Sequence, residues 1–114
     1  MSQTQLTAER VARNQSTFRA ANEKIQQAAL EYDVDGRLPF ICECSEPGCM
    51  DIVRLAPAEY ESIRATPTYF LTAPGHHRAA DGWADLVERR DGYEISEKVG
   101  DAAGIAEELD PRSQ

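Results

Sequence analysis

Three cysteines, Cys42, Cys44 and Cys49, fall within eight consecutive residues as C-x-C-x4-C, and the chain has no others. This cluster restricts the fold more than any apolar pattern does. In an extended segment, side chains two apart point the same way, which sets Cys42 and Cys44 on one face and Glu43 on the other. The Glu46-Pro47-Gly48 turn folds Cys49 back beside them. Three thiolates then converge, and a structural zinc site needs one more donor to complete its tetrahedron. The only histidines, His76 and His77, are adjacent and follow Pro74-Gly75, a tight turn suited to holding a ligand. Spacing leaves open which of the two supplies the fourth bond.

Composition explains why such a staple matters. Leu, Ile, Val and Phe make up only 21 of the 114 residues, under the roughly one-fifth that, with high net charge, separates folded from disordered chains. The net charge is −8. One domain's worth of chain with so thin a core needs help from outside the core, and structural zinc supplies on the order of 10 kcal/mol. Thirteen of those 21 residues lie between Leu38 and Val99, so the deficit belongs to the N-terminal segment and the tail. Loss of the metal is therefore expected to loosen the cysteine hairpin first.

Other uses of the thiols fit less well. Unliganded core cysteines belong on an apolar stripe, whereas these lie in and beside a polar turn. A C-x-C pair closes only a strained disulfide, and dithiol redox motifs usually read C-x-x-C at a helix N-terminus, while the flanks here read as strands. Three cysteines fall short of the four that hold an iron–sulfur cluster, and thiolates with one imidazole suit Zn²⁺. A catalytic zinc keeps three protein ligands and an open position beside a general base. Glu43 is expected to point away from the thiols, and a thiolate-rich shell quenches the metal's acidity. No H-x-E with P-C-x-x-C, HExxH, P-loop, dinucleotide turn or nucleophile elbow is present. The chain is expected not to be an enzyme.

Thr7 to Tyr32 contains neither Gly nor Pro and predicts one long helix, with Thr7 as N-cap. Val11, Phe18, Ile25 and Tyr32 are seven apart, with Asn14, Ala21 and Ala28 between them on the same face. That stripe packs on the protein's own sheet or meets a partner. Asp35-Gly36 ends the helix. Leu38–Cys44 and Met50–Leu55 then read as a hairpin with the cysteines at its tip, Pro57–Arg64 as a two-turn helix burying Tyr60 and Ile63, and Thr68–Thr72 as a third strand. Trp83–Arg90 and Tyr93–Val99 flank Asp91-Gly92, a strong hairpin signal that sets Arg90 opposite Tyr93, Arg89 opposite Glu94 and Glu88 opposite Ile95, with positive φ expected at both turn residues. Arg89 and Glu94 are expected to pair on the outer face, and Leu86, Tyr93 and Ile95 to share the other. Asp101–Leu109 reads as a short helix.

Acidity argues against direct binding to nucleic acid, which needs clustered Lys and Arg to neutralise phosphates. Arg89-Arg90, the only adjacent basic pair, fits a solvated strand edge. No window has the length and apolarity of a membrane span, and Met1–Arg10 lacks the apolar run of a secretion signal. An odd number of thiols without such a signal points to a reducing cytoplasm.

Phe40-Ile41-Cys42-Glu43-Cys44, Cys49, Glu59-Tyr60-Glu61-x-Ile63-Arg64, Pro74-Gly75-His76 and Tyr93-x-Ile95-x-Glu97-Lys98, in this order, resemble a family of small, uncharacterised bacterial proteins, mostly actinobacterial. Arg13-Asn14-x-x-x-Phe18-Arg19 in the helix is similar to theirs as well. The family's loop carries one histidine after Pro-Gly, so the resemblance implies His76 as the fourth ligand and His77 as an extra. It implies no activity.

The sequence thus predicts an α+β fold in which residues 1–36 form a long N-terminal helix laid on a small antiparallel sheet of about four or five strands. A zinc-stabilised core spans 37–109, with a zinc-knuckle-like hairpin, and 110–114 form a flexible tail. Zn²⁺ on Cys42, Cys44, Cys49 and His76 is the expected cofactor. The expected role is that of a non-catalytic, acidic, cytoplasmic adaptor or regulator that binds a protein partner, with Val11, Phe18 and Ile25 as a candidate surface. The alternative is a thiol-based redox or metal sensor that releases zinc on oxidation. An enzyme with an open zinc position is the third reading.

Overall fold

The lack of helix breakers up to Glu31 produces a 29-residue helix, α1 (Gln3–Glu31), in this computed structural model, which describes residues 3–44, 46, 48–76 and 82–113. Thr7 is not its cap. The helix begins four residues earlier, since nothing from Gln3 onward interrupts it. It stops where Asp33 takes a left-handed backbone conformation (φ 52°) and the Val34 N–H reaches back to the Ala29 carbonyl at 2.9 Å.

The remaining elements follow the predicted order. β1 (Leu38–Ile41) pairs antiparallel with β2 (Ile52–Leu55). α2 (Pro57–Arg64) has proline at its start, Glu59 Oε1 accepting the Ala56 N–H at 2.9 Å, and Tyr60 and Ile63 buried. β3 (Tyr69–Thr72), β4 (Ala84–Arg90) and β5 (Tyr93–Lys98) form an antiparallel sheet in the order β3-β5-β4. α3 (Asp101–Glu108) and a short 3₁₀ turn, Pro111–Ser113, complete the described chain.

The expected single sheet is divided into two, of two and three strands. The division falls where the cysteines begin. After Ile41 the chain leaves strand geometry, and only Glu43 still bonds to β3: its N–H donates to the Leu71 carbonyl at 2.7 Å, and its own carboxyl, rather than a backbone carbonyl, accepts the Leu71 N–H at 3.0 Å. A side chain supplies the rung that would have joined the sheets. The main core lies beneath this junction, with Phe40 stacked on Tyr60 (ring centroids 4.6 Å apart) and Val53, Leu55, Ile63, Leu71, Tyr93 and Ile95 around them.

The second hairpin has the expected register, Glu88↔Ile95, Arg89↔Glu94 and Arg90↔Tyr93. Its turn differs: Gly92 alone is left-handed (φ 87°), while Asp91 is not. The Arg89–Glu94 pair forms at 3.1 Å, with Glu94 buried rather than on an outer face. A bulge between Leu86 and Glu88 sets Leu86 opposite Ser96 and removes it from the face of Tyr93 and Ile95.

α1 buries a face one residue away from the expected stripe. Ala8, Ala12, Gln15, Arg19, Asn22, Gln26 and Ala29, spaced alternately four and three, are the buried seam. Three of its polar members, Arg19, Asn22 and Gln26, serve backbone groups of the elements they pack on. Asn22 donates to the Ile41 carbonyl and accepts the Ile41 N–H, both at 2.7 Å, as a paired strand would. Arg19 donates to the carbonyls of Pro67 (2.7 Å) and Tyr69, and Gln26 to that of Pro57 (3.0 Å). Val11 packs with Ala84 and Trp83, Ile25 borders the main core, Phe18 is half-buried and Tyr32 is exposed. The stripe is thus the shoulder of a packed seam.

Residues expected as a loose tail are tied in. Arg64 of α2 pairs with Glu23 of α1 at 2.6 Å and with buried Asp110, and Arg112 bridges Glu23 (3.0 Å) and Glu61 (2.7 Å).

Lys98, only 2 % exposed, places its amine 4.2 Å from the Phe70 ring centroid, with no hydrogen-bond partner. Burial, then nearby Arg19, hold it down to about 7 against Glu43, which acts the other way. Between about pH 7 and the ordinary 10.5, unfolding therefore takes up a proton, so stability rises with pH across this window. Lys98→Met is expected to be more stable than the parent at pH 7, by a margin that shrinks toward pH 10 in urea titrations. A variant no more stable at pH 7 would refute this.

Candidate metal centre

The hairpin and the β3 loop bring together the four residues singled out from the sequence. One ligand atom from each of Cys42, Cys44, Cys49 and His76 lies within 4.8 Å of all the others. His76 Nδ1 is 3.5 Å from the sulfurs of both Cys42 and Cys49. A tetrahedron with Zn–S bonds of about 2.3 Å and a Zn–N bond of about 2.0–2.1 Å has sulfur–nitrogen edges of about 3.5 Å, so these two distances are compatible with a zinc shell. His77 lies outside the described residues.

Each sulfur also receives a backbone N–H. Ala73 donates to Cys42 at 3.2 Å, Glu46 to Cys44 and Asp51 to Cys49. Cys44 and Cys49 take theirs from the residue two positions on, so the turn uses one local geometry twice. The thiols share protons unequally. The bond it makes to Cys44, then burial, push Cys42 up, whereas the same bond draws Cys44 down to about 5. Burial pushes Cys49 up. A cation bound among them would displace the remaining thiol protons.

Two carboxylates that spacing did not single out position the ligands. Asp51 Oδ2 lies 3.2 Å from His76 Nε2, which fixes the tautomer and turns Nδ1 toward the sulfurs. Glu94 Oε1 accepts the Gly75 N–H at 2.8 Å, pinning the loop at a left-handed glycine (φ 82°) just before His76. Asp51→Ala is expected to lower zinc affinity roughly tenfold, measured by chelator competition, with the fold retained. Unchanged affinity would make Asp51 a bystander.

Glu43 is the third. It is wholly buried, faces away from the thiols as alternation requires, and accepts from Tyr60 Oη (2.6 Å), Asn22 Nδ2 (2.9 Å) and the Leu71 N–H. It ties both flanking ligands to α1, α2 and β3. The sequence signal was a lone acid inside an apolar run, together with an Asn on the helix.

All three cysteines belong to the main core cluster, so the centre is one end of that core. Among the described residues no helix is long and apolar enough to cross a membrane. Compared with known protein families, curated proteins and solved structures, the chain gives no match.

Proposed function

We propose that Cys42, Cys44, Cys49 and His76 hold a structural Zn²⁺ in a non-catalytic adaptor or regulatory protein that works by binding another protein in the reducing cytoplasm. The convergence of four soft or borderline donors within 4.8 Å carries this reading. Four protein ligands complete a tetrahedron, whereas a catalytic zinc keeps a position for water. The neighbouring carboxyl of Glu43 is committed to Tyr60, Asn22 and Leu71. Zinc would clamp the 42–49 turn to His76 across the intervening β2, α2 and β3.

Elemental analysis of the purified chain is expected to find about one zinc per chain, and Co²⁺ substitution to give the ligand-field bands of a tetrahedral thiolate–imidazole site. Protein without stoichiometric metal would overturn the proposal.

The three thiols standing within 4.8 Å of one another favour a second reading, release of zinc on oxidation to a disulfide. Hydrogen peroxide would take two electrons from a pair of thiolates, giving a disulfide and, with two protons, two waters. Zinc release under mild peroxide, reversed by a thiol reductant, would select the sensor; zinc retained until thermal unfolding would select the structural role.

A further inference from the structure

Between the end of α1 and the start of α2 lies an open groove of about 360 Å³, with Leu30 and Val34 on one wall and Ala56, Pro57 and Ala58 on the other. Its size suits a few aliphatic side chains. Leu30 and Val34 are 62 % and 42 % exposed, and Tyr32 between them is 73 % exposed. These make half of the large hydrophobic residues found exposed among the described residues, gathered into five consecutive positions. Singly exposed apolar residues are unremarkable, but a group beside a groove marks a contact site.

The ionisable residues lining the groove are both acidic, Asp35 and Glu61; Arg112 pairs with Glu61 at 2.7 Å, while Asp35 and its chain neighbours Glu31 and Asp33 are exposed and have no ion-pair partner among the described residues. The last turn of α1 contains no basic residue, so the negative end of a 29-residue helix dipole stays uncompensated at the same place. Arg37, the nearest basic residue along the chain, donates instead to the Asp91 carbonyl at 3.3 Å. Gln26, which lines the groove, gives both amide hydrogens to Pro57 and Glu61, and its buried oxygen has no donor among the described residues. Apolar walls and unpaired carboxylates ask for an occupant that brings aliphatic groups and cations.

We propose that this groove seats a segment of another protein in which aliphatic side chains are flanked by lysines or arginines. The assignment rests on the protein-binding role above and gives it a surface and a partner chemistry. A second copy of the chain, itself at −8, is repelled where a basic segment is attracted.

The test uses the zinc-loaded full chain and two synthetic amphipathic peptides. One has leucines at i, i+3, i+4 and i+7 with lysines elsewhere; the other has glutamates in place of the lysines. Binding is followed by calorimetry and backbone amide shifts. The lysine peptide is expected to bind saturably, to shift residues 30–36 and 56–58, to weaken with added salt, and to lose roughly tenfold or more in affinity on Leu30→Asp. The added carboxylate makes that variant decisive: it would tighten a purely electrostatic association and weaken one that seats leucines. Unchanged or tighter binding by Leu30→Asp, or equal affinity for the glutamate peptide, overturns the proposal. So does wild-type self-association, seen by sedimentation and abolished by Leu30→Asp, which would make the occupant a second copy. Shifts centred on another face remove the groove but leave the protein-binding role intact. Zinc content, measured on the same samples, tests the metal reading separately.

Discussion

Cys44→Ser, or chelation of zinc from the intact chain, is expected to unfold the protein at room temperature. Structural zinc contributes on the order of 10 kcal/mol, against a net stability of about 5–15 kcal/mol for an ordinary domain. The core offers little reserve. Cys42, Cys44 and Cys49 are themselves members of the main core cluster, so losing the metal leaves buried, mutually bonded thiols at its end as well as opening the link to His76. Near-UV circular dichroism should be lost cooperatively as chelator is added and return with zinc. Before global unfolding, hydrogen exchange should accelerate first in β1, β2 and the turn between them, while amides of the β4–β5 hairpin stay protected. A chelated protein with native dichroism and an unshifted melting transition would remove the structural role.

Glu43→Ala is expected to cost about 3–5 kcal/mol in the zinc-loaded protein, because it strands three buried donors at once: the Tyr60 hydroxyl, the Asn22 amide and the Leu71 N–H. Tyr60→Phe, which removes one of those donors together with its need for a partner, should cost only about 1 kcal/mol. The two variants differ in a second readout. Glu43→Ala should also weaken zinc binding, since the residues on either side are the proposed ligands and the carboxyl fixes their backbone against β3. Urea titration gives the first quantity and chelator competition the second. A Glu43→Ala protein within about 1 kcal/mol of the parent would show that the network does not hold the site.

Local signals in the chain foretold much of this architecture. Asp91-Gly92 set the β4–β5 register even though its turn conformation differs from the expected one, because a two-residue connection fixes which residues face each other whatever its φ angles. Pro57 announced α2, whose start depends on groups within four residues of one another, Glu59 among them. The cysteine spacing and the Pro74-Gly75 turn foretold which four side chains come close enough to hold a metal ion, since each is oriented by its own short segment. What escaped was carried by polar residues acting over long sequence distances. Gln15, Arg19, Asn22 and Gln26 look like a solvent face to a rule that searches for apolar periodicity, yet they are the buried seam, and the apolar residues one position away flank it. Glu43 was read only by the side it avoids. The break between the two sheets follows from the same limit: it is caused by a carboxyl substituting for a carbonyl, which no strand propensity records.

The seam of α1 bears on the protein's life before it is folded. A helix whose most buried seam attaches through amides and a guanidinium, with alanines at its two ends and the apolar residues confined to one shoulder, shows less apolar surface when it stands alone than an all-apolar seam would. As the chain emerges during synthesis, or when the helix lifts off briefly, the uncovered seam is one that water solvates well, with Val11 and Ile25 at its edge. Such an open form gives little purchase to aggregation or to chaperones that recognise bare apolar surface. Its return is selective as well, because a slip of one residue would move Asn22 away from both polar atoms of Ile41.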